Sequence, residues 1–341
     1  MDEVWEREGV RAIWSTANVS GTDNQQNILE MNKLKVSVAQ ITPVFLDRDA
    51  TVEKAISAIG EAASNGAKLI VFPEAFIPGY PEWVWMNAPG KKSLTHPLYE
   101  ALLENAVSIG DDSIRLLCNV ARESKIFVVM GINERNTDAS GASLYNTILY
   151  IDDKGELLGK HRKLVPTSGE RLVHAMGDGS TLDAFDTSIG RLGGLICWEN
   201  YMPLARYYMY ARGVQIYVAP TWDYGEVWVS TLRHIAKEGS VYVLGACMPM
   251  KVNDIPEQFE FKKQYDSAKE WINPGDSIII NPKGEIIAGP LHKLEGILYA
   301  EIDLSLVAHA KWSLDVAGHY ARPDVFKFSV NRTSNPIIET H

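Results

Sequence analysis

Gly193-Gly194-Leu195-Ile196-Cys197-Trp198-Glu199-Asn200 is the stretch on which the reading of this chain turns. Two glycines lead an apolar strand outward, and a lone cysteine stands where that strand ends and a helical pattern begins. In open α/β architectures the chemistry sits outside the carboxyl ends of the strands, at strand-to-helix corners of this kind. A helix N-terminus beside the thiol carries partial positive charge, which favours thiolate. Cys197 is therefore read as a nucleophile, although a cysteine in an apolar strand also serves as a small core residue.

Outward from this corner, strands and helices alternate. Downstream come a helix over 203–212, a strand over 215–219, a helix over 227–238 and a strand over 241–246. A hairpin over 277–287 turns at Asn281-Pro282-Lys283-Gly284, and a last strand spans 296–302. Upstream, a hairpin runs from Leu182 to Ile189 and turns at Gly190 into the cysteine strand. Near the start, Lys35–Ile41 alternates with period two. Asp49 is expected to cap the next helix, in which Val52, Ile56, Ile59 and Ala63 repeat at three- and four-residue steps. Ala67–Phe72 is a short continuous apolar strand suited to a buried sheet. A loop rich in proline and aromatics over 73–95 leads to expected helices over 97–108 and 112–124. A strand over 126–131 and a hairpin from Leu144–Ile151 into Glu156–Gly159 follow.

The order suggests two similar halves. Helices separate some strands and hairpins join others, so mixed sheets covered by helices on one face each are expected. Packed sheet to sheet, they make an α/β fold with a four-layer α-β-β-α sandwich. No linker divides the halves, which gives one domain over 34–303, a polar arm over 1–33 and a tail over 304–341. Met31, just before the first strand, is a candidate start in the cell.

Hydrophobic content of 46% with 22% charged residues marks a soluble globular chain. A formal charge of −10 leaves no basic stripe for phosphates, which argues against nucleic acid as a partner. No apolar run reaches membrane-spanning length, and the first thirty residues lack the basic-then-apolar order of a signal peptide. A cytoplasmic protein without a membrane partner is expected. The three cysteines, Cys118, Cys197 and Cys247, are too few and scattered for a disulfide framework or a metal site. Cys118 and Cys247 are expected to be buried and inert, and neither a metal nor an organic cofactor is expected.

Two further stretches end an apolar strand in a reactive side chain. In Val71-Phe72-Pro73-Glu74-Ala75-Phe76, Glu74 should be rigidly held and partly desolvated, which raises a carboxylate toward useful base strength. In Gly159-Lys160-His161-Arg162-Lys163-Leu164-Val165-Pro166-Thr167, Lys163 can supply fixed positive charge. Each has a plainer reading, a solvated carboxylate and a basic surface turn, and spacing alone does not bring the three together. His161, His174, His234 and His319 offer a cysteine–histidine alternative. His161 and His234 also suit hydrogen bonds that stiffen loops. Trp83, Trp85, Trp198, Trp222 and Tyr224 lie in loops near strand ends, where they suit either a pocket wall or the core.

Taken in order, the three stretches resemble the catalytic motifs of the nitrilase superfamily of carbon–nitrogen hydrolases. Phe72–Pro81, Lys160–Leu164, Cys197–Arg206, Arg233–Ala236 and Gly318–Val325 look like its nitrilase branch, and the resemblance covers residues 34 to 326. It implies Glu74 as general base, Lys163 as stabiliser or proton donor, Cys197 as nucleophile and Glu170 as a second glutamate near the site. Tyr80, Trp198, Trp222 and His174 are the candidate pocket residues. His174 stands where many members carry tryptophan, and Ala175-Met176 replace a more usual glycine-containing pair, which bears on substrate shape. The implied reaction converts an organic nitrile and water to the carboxylic acid and ammonia, through a thioimidate and an acyl-enzyme. The runner-up is a cyanide- or amide-directed hydrolase with the same residues. A catalytically dead scaffold subunit is disfavoured by the intact Glu74, Lys163 and Cys197. The resemblance also implies self-association as a homodimer or larger, with the tail in subunit contacts.

Overall fold

The computed structural model describes residues 33–266, 268 and 270–336. The expected arm over 1–33 and the candidate start at Met31 lie, Lys33 apart, outside the described residues. In the first sheet β1 (Lys33–Gln40), β2 (Leu69–Val71) and β3 (Phe127–Arg135) run parallel. β4 (Leu144–Ile151) and β5 (Leu157–Arg162) add antiparallel strands beyond β3, and β14 (Gly296–Asp303) pairs antiparallel with the free edge of β1. The second sheet repeats this plan. β7 (Gly190–Gly194), β8 (Ile216–Thr221) and β9 (Tyr242–Cys247) are parallel, with β12 (Gly275–Ile280) and β13 (Ile286–His292) beyond β9 and β6 (Ala184–Thr187) against β7. A small ribbon of β10 (Met250–Lys251) and β11 (Trp271–Asn273) lies outside both sheets.

Period-two patterning decides which face each residue serves. Val36, Val38, Val71 and Val129 of the first sheet meet Leu192, Ile216, Val218 and Leu244 of the second in the central core. On the outer face of the first sheet, Ile70, Val128 and Met130 pack beneath α1 (Arg48–Ser64) and α3 (Asp112–Ser124), through Val52, Ile59, Leu117 and Ala121. On the outer face of the second, Tyr217, Val243 and Ile278 pack beneath α4 (Pro203–Ala211) and α5 (Glu226–Gly239), through Met209, Leu232 and Ile235. The layers run α-β-β-α, as the element order implied.

Details differ from the sequence reading. The α1 cap is Asp47, whose side chain accepts from the Ala50 N–H at 3.0 Å; Asp49 falls inside the first turn. α2 (Lys92–Asn105) starts earlier than expected and takes Pro97 into its body. Its Leu98 and Leu102 are buried with Trp83 and Phe261 in a satellite core, so packing rather than the proline sets its bounds. Cys118 is only partly buried.

Two glycines let strand ends approach closely enough to build a site. A Cβ on Gly131 of β3 would come within 2.0 Å of the Pro73 carbonyl oxygen, and one on Gly194 of β7 within 1.9 Å of the Val218 carbonyl oxygen. Any side chain there would push the Glu74 turn or the Cys197 turn outward. In the tail, α6 (Ser305–Ser313) drops Val307 into the central core. The chain then returns along α4, with Phe328 edge-on to Tyr207 at 5.1 Å. Among the described residues no helix is long and apolar enough to cross a membrane.

Candidate active site

Glu74, Lys163 and Cys197 come from the carboxyl ends of β2, β5 and β7 and are each at most 4% exposed. The Lys163 ammonium lies between two carboxylates, donating to Glu74 Oε1 at 2.6 Å and to Glu170 Oε2 at 2.7 Å. Glu170 sits in a short 3-10 turn, Ser168–Leu172, entered through a capping box in which its own carboxylate accepts from the Thr167 N–H at 2.9 Å. Its other oxygen accepts from the Tyr80 hydroxyl at 2.8 Å.

Glu74 is held on all sides. Oε1 also accepts from Asn146 Nδ2 at 2.7 Å, and Oε2 accepts from the Trp222 N–H at 2.8 Å. The turn that carries it, with Ala75 at a positive φ of 49°, is clamped by Asn133. The Asn133 amide donates to the carbonyls of Ala75, Ile77 and Gly79, and its Oδ1 accepts from His174 Nε2 at 2.8 Å.

Cys197 opens a five-residue 3-10 turn and itself takes a φ of 50°, in the left-handed region that a non-glycine residue adopts only where the surroundings enforce it. Three groups enforce it here. Asn200 Nδ2 donates to the Leu195 and Cys197 carbonyls. The buried Glu199 carboxylate accepts from the Ile196 N–H at 2.8 Å, just before the cysteine, and from the Leu164 N–H at 2.7 Å, just after the lysine. His161 Nε2 lies 3.0 Å from the same carboxylate. Glu199 thus ties the cysteine corner of one sheet to the lysine end of the other. The sulfur accepts from the Thr221 hydroxyl at 3.3 Å.

Charge balance departs from the dipole argument. Burial pushes the Cys197 thiol up, the Glu74 carboxylate pushes it further, and Lys163 opposes them without prevailing. The resting group is a thiol, and the short 3-10 turn does not make it a thiolate. Burial and Glu170 together hold the Glu74 carboxyl above its ordinary range against the pull of Lys163. Burial pulls the Lys163 ammonium down, but Glu74, Cys197 and Glu170 outweigh it and keep the charge in place. Glu170 feels the same burial, yet Lys163 and then His174 hold it below the usual carboxylate range. His174 is pushed down to about 4, chiefly by burial, and stands neutral.

A cavity of ≈ 130 Å³ opens onto Cys197, Glu170 and Thr167. That is room for roughly four waters at about 30 Å³ each. Of the expected pocket residues, Tyr80, Trp198 and Trp222 line it, as do Trp85 and Tyr224. Tyr80 and Trp222 stack at 4.6 Å with planes 8° apart. His174 does not line it: it sits behind, on Asn133. Trp83 belongs to the satellite core. A larger cleft of ≈ 570 Å³ between α2 and the Glu170 turn is lined by Trp83, Tyr99 and Leu172 and holds neither Cys197 nor Lys163. Chemistry, not volume, singles out the smaller one. As for the other two candidate histidines, His234 is a surface group 3.5 Å from Glu238, and the His319 ring lies 5.2 Å from that of Tyr320, tilted by 60°, in the tail.

Nothing in the local sequence assigns Asn133, Asn146, Glu199 and Thr221 to the site. A signal existed for Asn146 and Thr221, polar residues on buried strand positions among Leu, Ile and Val. What they bond is visible only in three dimensions.

The carbon–nitrogen hydrolase family model matches residues 35–311. Nitrilase 1 of Arabidopsis thaliana is 39% identical, with 93% of each chain covered. An aliphatic nitrilase of Sinorhizobium fredii (strain HH103) is 41% identical over 91% of this chain and 99% of its own. The crystal structure of Saccharomyces cerevisiae Nit3, a member of branch 10 of the nitrilase superfamily, shares the fold with a TM-score of 0.66 at 23% identity, covering 85% of this chain and 97% of that one. With a family model spanning most of its length and relatives near two-fifths identity from end to end, this chain belongs to the carbon–nitrogen hydrolases, in the nitrilase branch.

Proposed function

We propose that this enzyme hydrolyses an organic nitrile to the carboxylic acid and ammonia through Cys197. The observation that carries the reading is the Lys163 ammonium fixed between Glu74 and Glu170 beside the buried Cys197, whose thiol burial pushes up. A thiol that does not ionise at rest needs a base at the moment of attack, and a carboxylate raised by burial suits that task. As the sulfur bonds to the nitrile carbon, its proton passes to Glu74. The electron pair leaving the C≡N bond goes to nitrogen, which takes that proton and yields the thioimidate. Lys163 and the Trp198 N–H, next in the chain after the nucleophile, offset the developing negative charge. Glu74 then draws a proton from water as its oxygen adds to the same carbon. That proton passes to nitrogen, the proton of the new hydroxyl follows through Glu74 as the C–N bond breaks, and ammonia leaves while the oxygen becomes the thioester carbonyl. A second water attacks in the same way, and the acid departs as the sulfur recovers its proton.

Glu170 fixes the ammonium and keeps Glu74 raised. The names of the curated relatives, nitrilases from plants and bacteria, support nitriles over amides or cyanide as substrates. The test is ammonia and carboxylate release from aliphatic, aryl and arylacetonitriles, amides and cyanide, beside Cys197→Ala. One ammonia per acid from a nitrile, lost in the variant, is expected. Turnover surviving the substitution overturns the mechanism, and turnover of amides or cyanide alone overturns the substrate class.

A further inference from the structure

The cavity above Cys197 is aromatic and acidic at once. Three large side chains at its rim stay open to solvent: Trp85 is 44% exposed, Trp198 51% and Tyr224 44%. Behind them lies the stacked Tyr80–Trp222 pair. Set into this ring is Asp223, which follows Trp222 at the end of β8. The protein fixes that carboxylate in place. Its Oδ2 accepts from Trp198 Nε1 at 2.8 Å, its Oδ1 accepts from the Tyr224 N–H at 2.8 Å, and its own N–H donates to Thr221 Oγ1. The loop is anchored from below by Asp276, which accepts from the Gly225 N–H at 2.9 Å and pairs with His292 at 2.7 Å.

No lysine, arginine or histidine lines this cavity among the described residues. Lys163 is paired with two glutamates, so with both ionised Glu74, Glu170 and Lys163 together leave one negative charge beneath the floor, and the Asp223 carboxylate stands at the rim. Indole and phenol faces present the negative side of their quadrupoles, and rings around a carboxylate form a receptor for cations. An anion entering would meet like charge in a small cleft walled by aromatic rings, where such encounters cost more than in open water.

We propose that the pocket selects nitriles carrying a positively charged amino group remote from the reacting carbon, and turns away those carrying a carboxylate, with Asp223 and the Trp85–Trp198–Tyr224 rim as the determinants. This rests on the nitrile-hydrolysing reading and deepens it. Only the charge at the far end of the substrate is at stake; the chemistry at carbon is unchanged.

The experiment compares kcat/KM for ammonia release from 4-aminobutanenitrile, pentanenitrile and 3-cyanopropanoate, three short chains that differ in charge. Measurements at low and high salt and in Asp223→Asn complete it. The expected order is ammonium above neutral above carboxylate, with the extremes at least about tenfold apart at low salt. High salt narrows the spread. Asp223→Asn reduces the ammonium-to-carboxylate ratio by roughly tenfold, whatever it does to the absolute rates. A carboxylate substrate as good as the ammonium one, or a ratio untouched by Asp223→Asn, overturns the inference while pentanenitrile turnover leaves the enzyme a nitrilase. No ammonia from any nitrile overturns both.

Discussion

Two ion clusters hang on β5 and its end, and they behave oppositely. In the first, Glu134 of β3 receives Lys160 at 2.5 Å and Arg162 through two bonds, Nη2 at 2.6 Å and Nε at 3.0 Å, with the Thr147 hydroxyl at 2.9 Å. In the second, one residue further along, Lys163 serves Glu74 and Glu170. Glu134 and Glu74 are both 1% exposed. Burial is the largest influence on each and pushes both upward. Yet the Glu134 carboxyl ends below its ordinary range and that of Glu74 above it. Two cations outweigh desolvation at Glu134; the one cation shared by two anions outweighs it at Glu170, where His174 and the Thr167 N–H help, but not at Glu74. The cations and donors that reach each carboxylate, set against its desolvation, separate the structural clamp at Glu134 from the carboxylate we assign as the base.

The comparison breaks most visibly at Glu74. Glu74→Gln keeps the shape and the Trp222 contact but removes the proton acceptor, and kcat for ammonia release should fall by about 10³-fold or more with an unchanged far-UV spectrum. A loss under tenfold would remove Glu74 from the role of base.

Lys163→Met leaves two carboxylates buried against each other with no counter-ion. A loss of about 3–5 kcal/mol in denaturant unfolding is expected, together with activity. Unfolding at the wild-type midpoint would mean that the carboxylates find another partner.

Glu170→Gln sharpens the contrast, because it converts the second cluster to one cation on one anion. Glu74 works as a base only when ionised, so in the wild type kcat/KM should climb with pH through a carboxyl value above the ordinary one. With the like charge gone, that limb should move to lower pH, and kcat should drop about 10- to 100-fold as the lysine loosens. Lys163 and Cys197 are both pushed up, so no descending limb is expected until strongly alkaline pH. An acid limb that stays put in the variant would refute this account of Glu74.

Glu134→Gln is the mildest change. Lys160 and Arg162 keep 25% and 16% side-chain exposure and can turn to water, so a cost of about 1–3 kcal/mol is expected, with kcat/KM within tenfold. A larger loss of activity would show that this cluster aims Lys163 as well as bracing β5.

The same contrast marks what could be read in advance. Lys160-His161-Arg162-Lys163 looks like one basic turn in sequence, yet its members part company. Lys160 and Arg162 go to Glu134, His161 crosses to Glu199 on the facing sheet, and Lys163 enters the site. Period-two geometry explains the alternation within β5. It does not tell which carboxylate waits on each side. The Cys197 corner lies at a strand end as the sequence implies, but no helix dipole sets its charge: burial, and then a glutamate delivered from 123 positions earlier in the chain, push the thiol up.

By itself the sequence determined the alternation of strands and helices, the two matching halves, and the position of Glu74, Lys163 and Cys197 at strand ends. Local periodicity and chain order carry that information, since neighbours along the chain set hydrogen-bonding pattern and face. Tertiary structure alone decided that Glu74 meets the Trp222 N–H across 148 positions, that Asn146 and Asn133 lock the glutamate turn, and that Cys197 rests as a thiol. Those outcomes depend on desolvation and on charges brought together by packing two sheets, and neither quantity exists until the sandwich has closed.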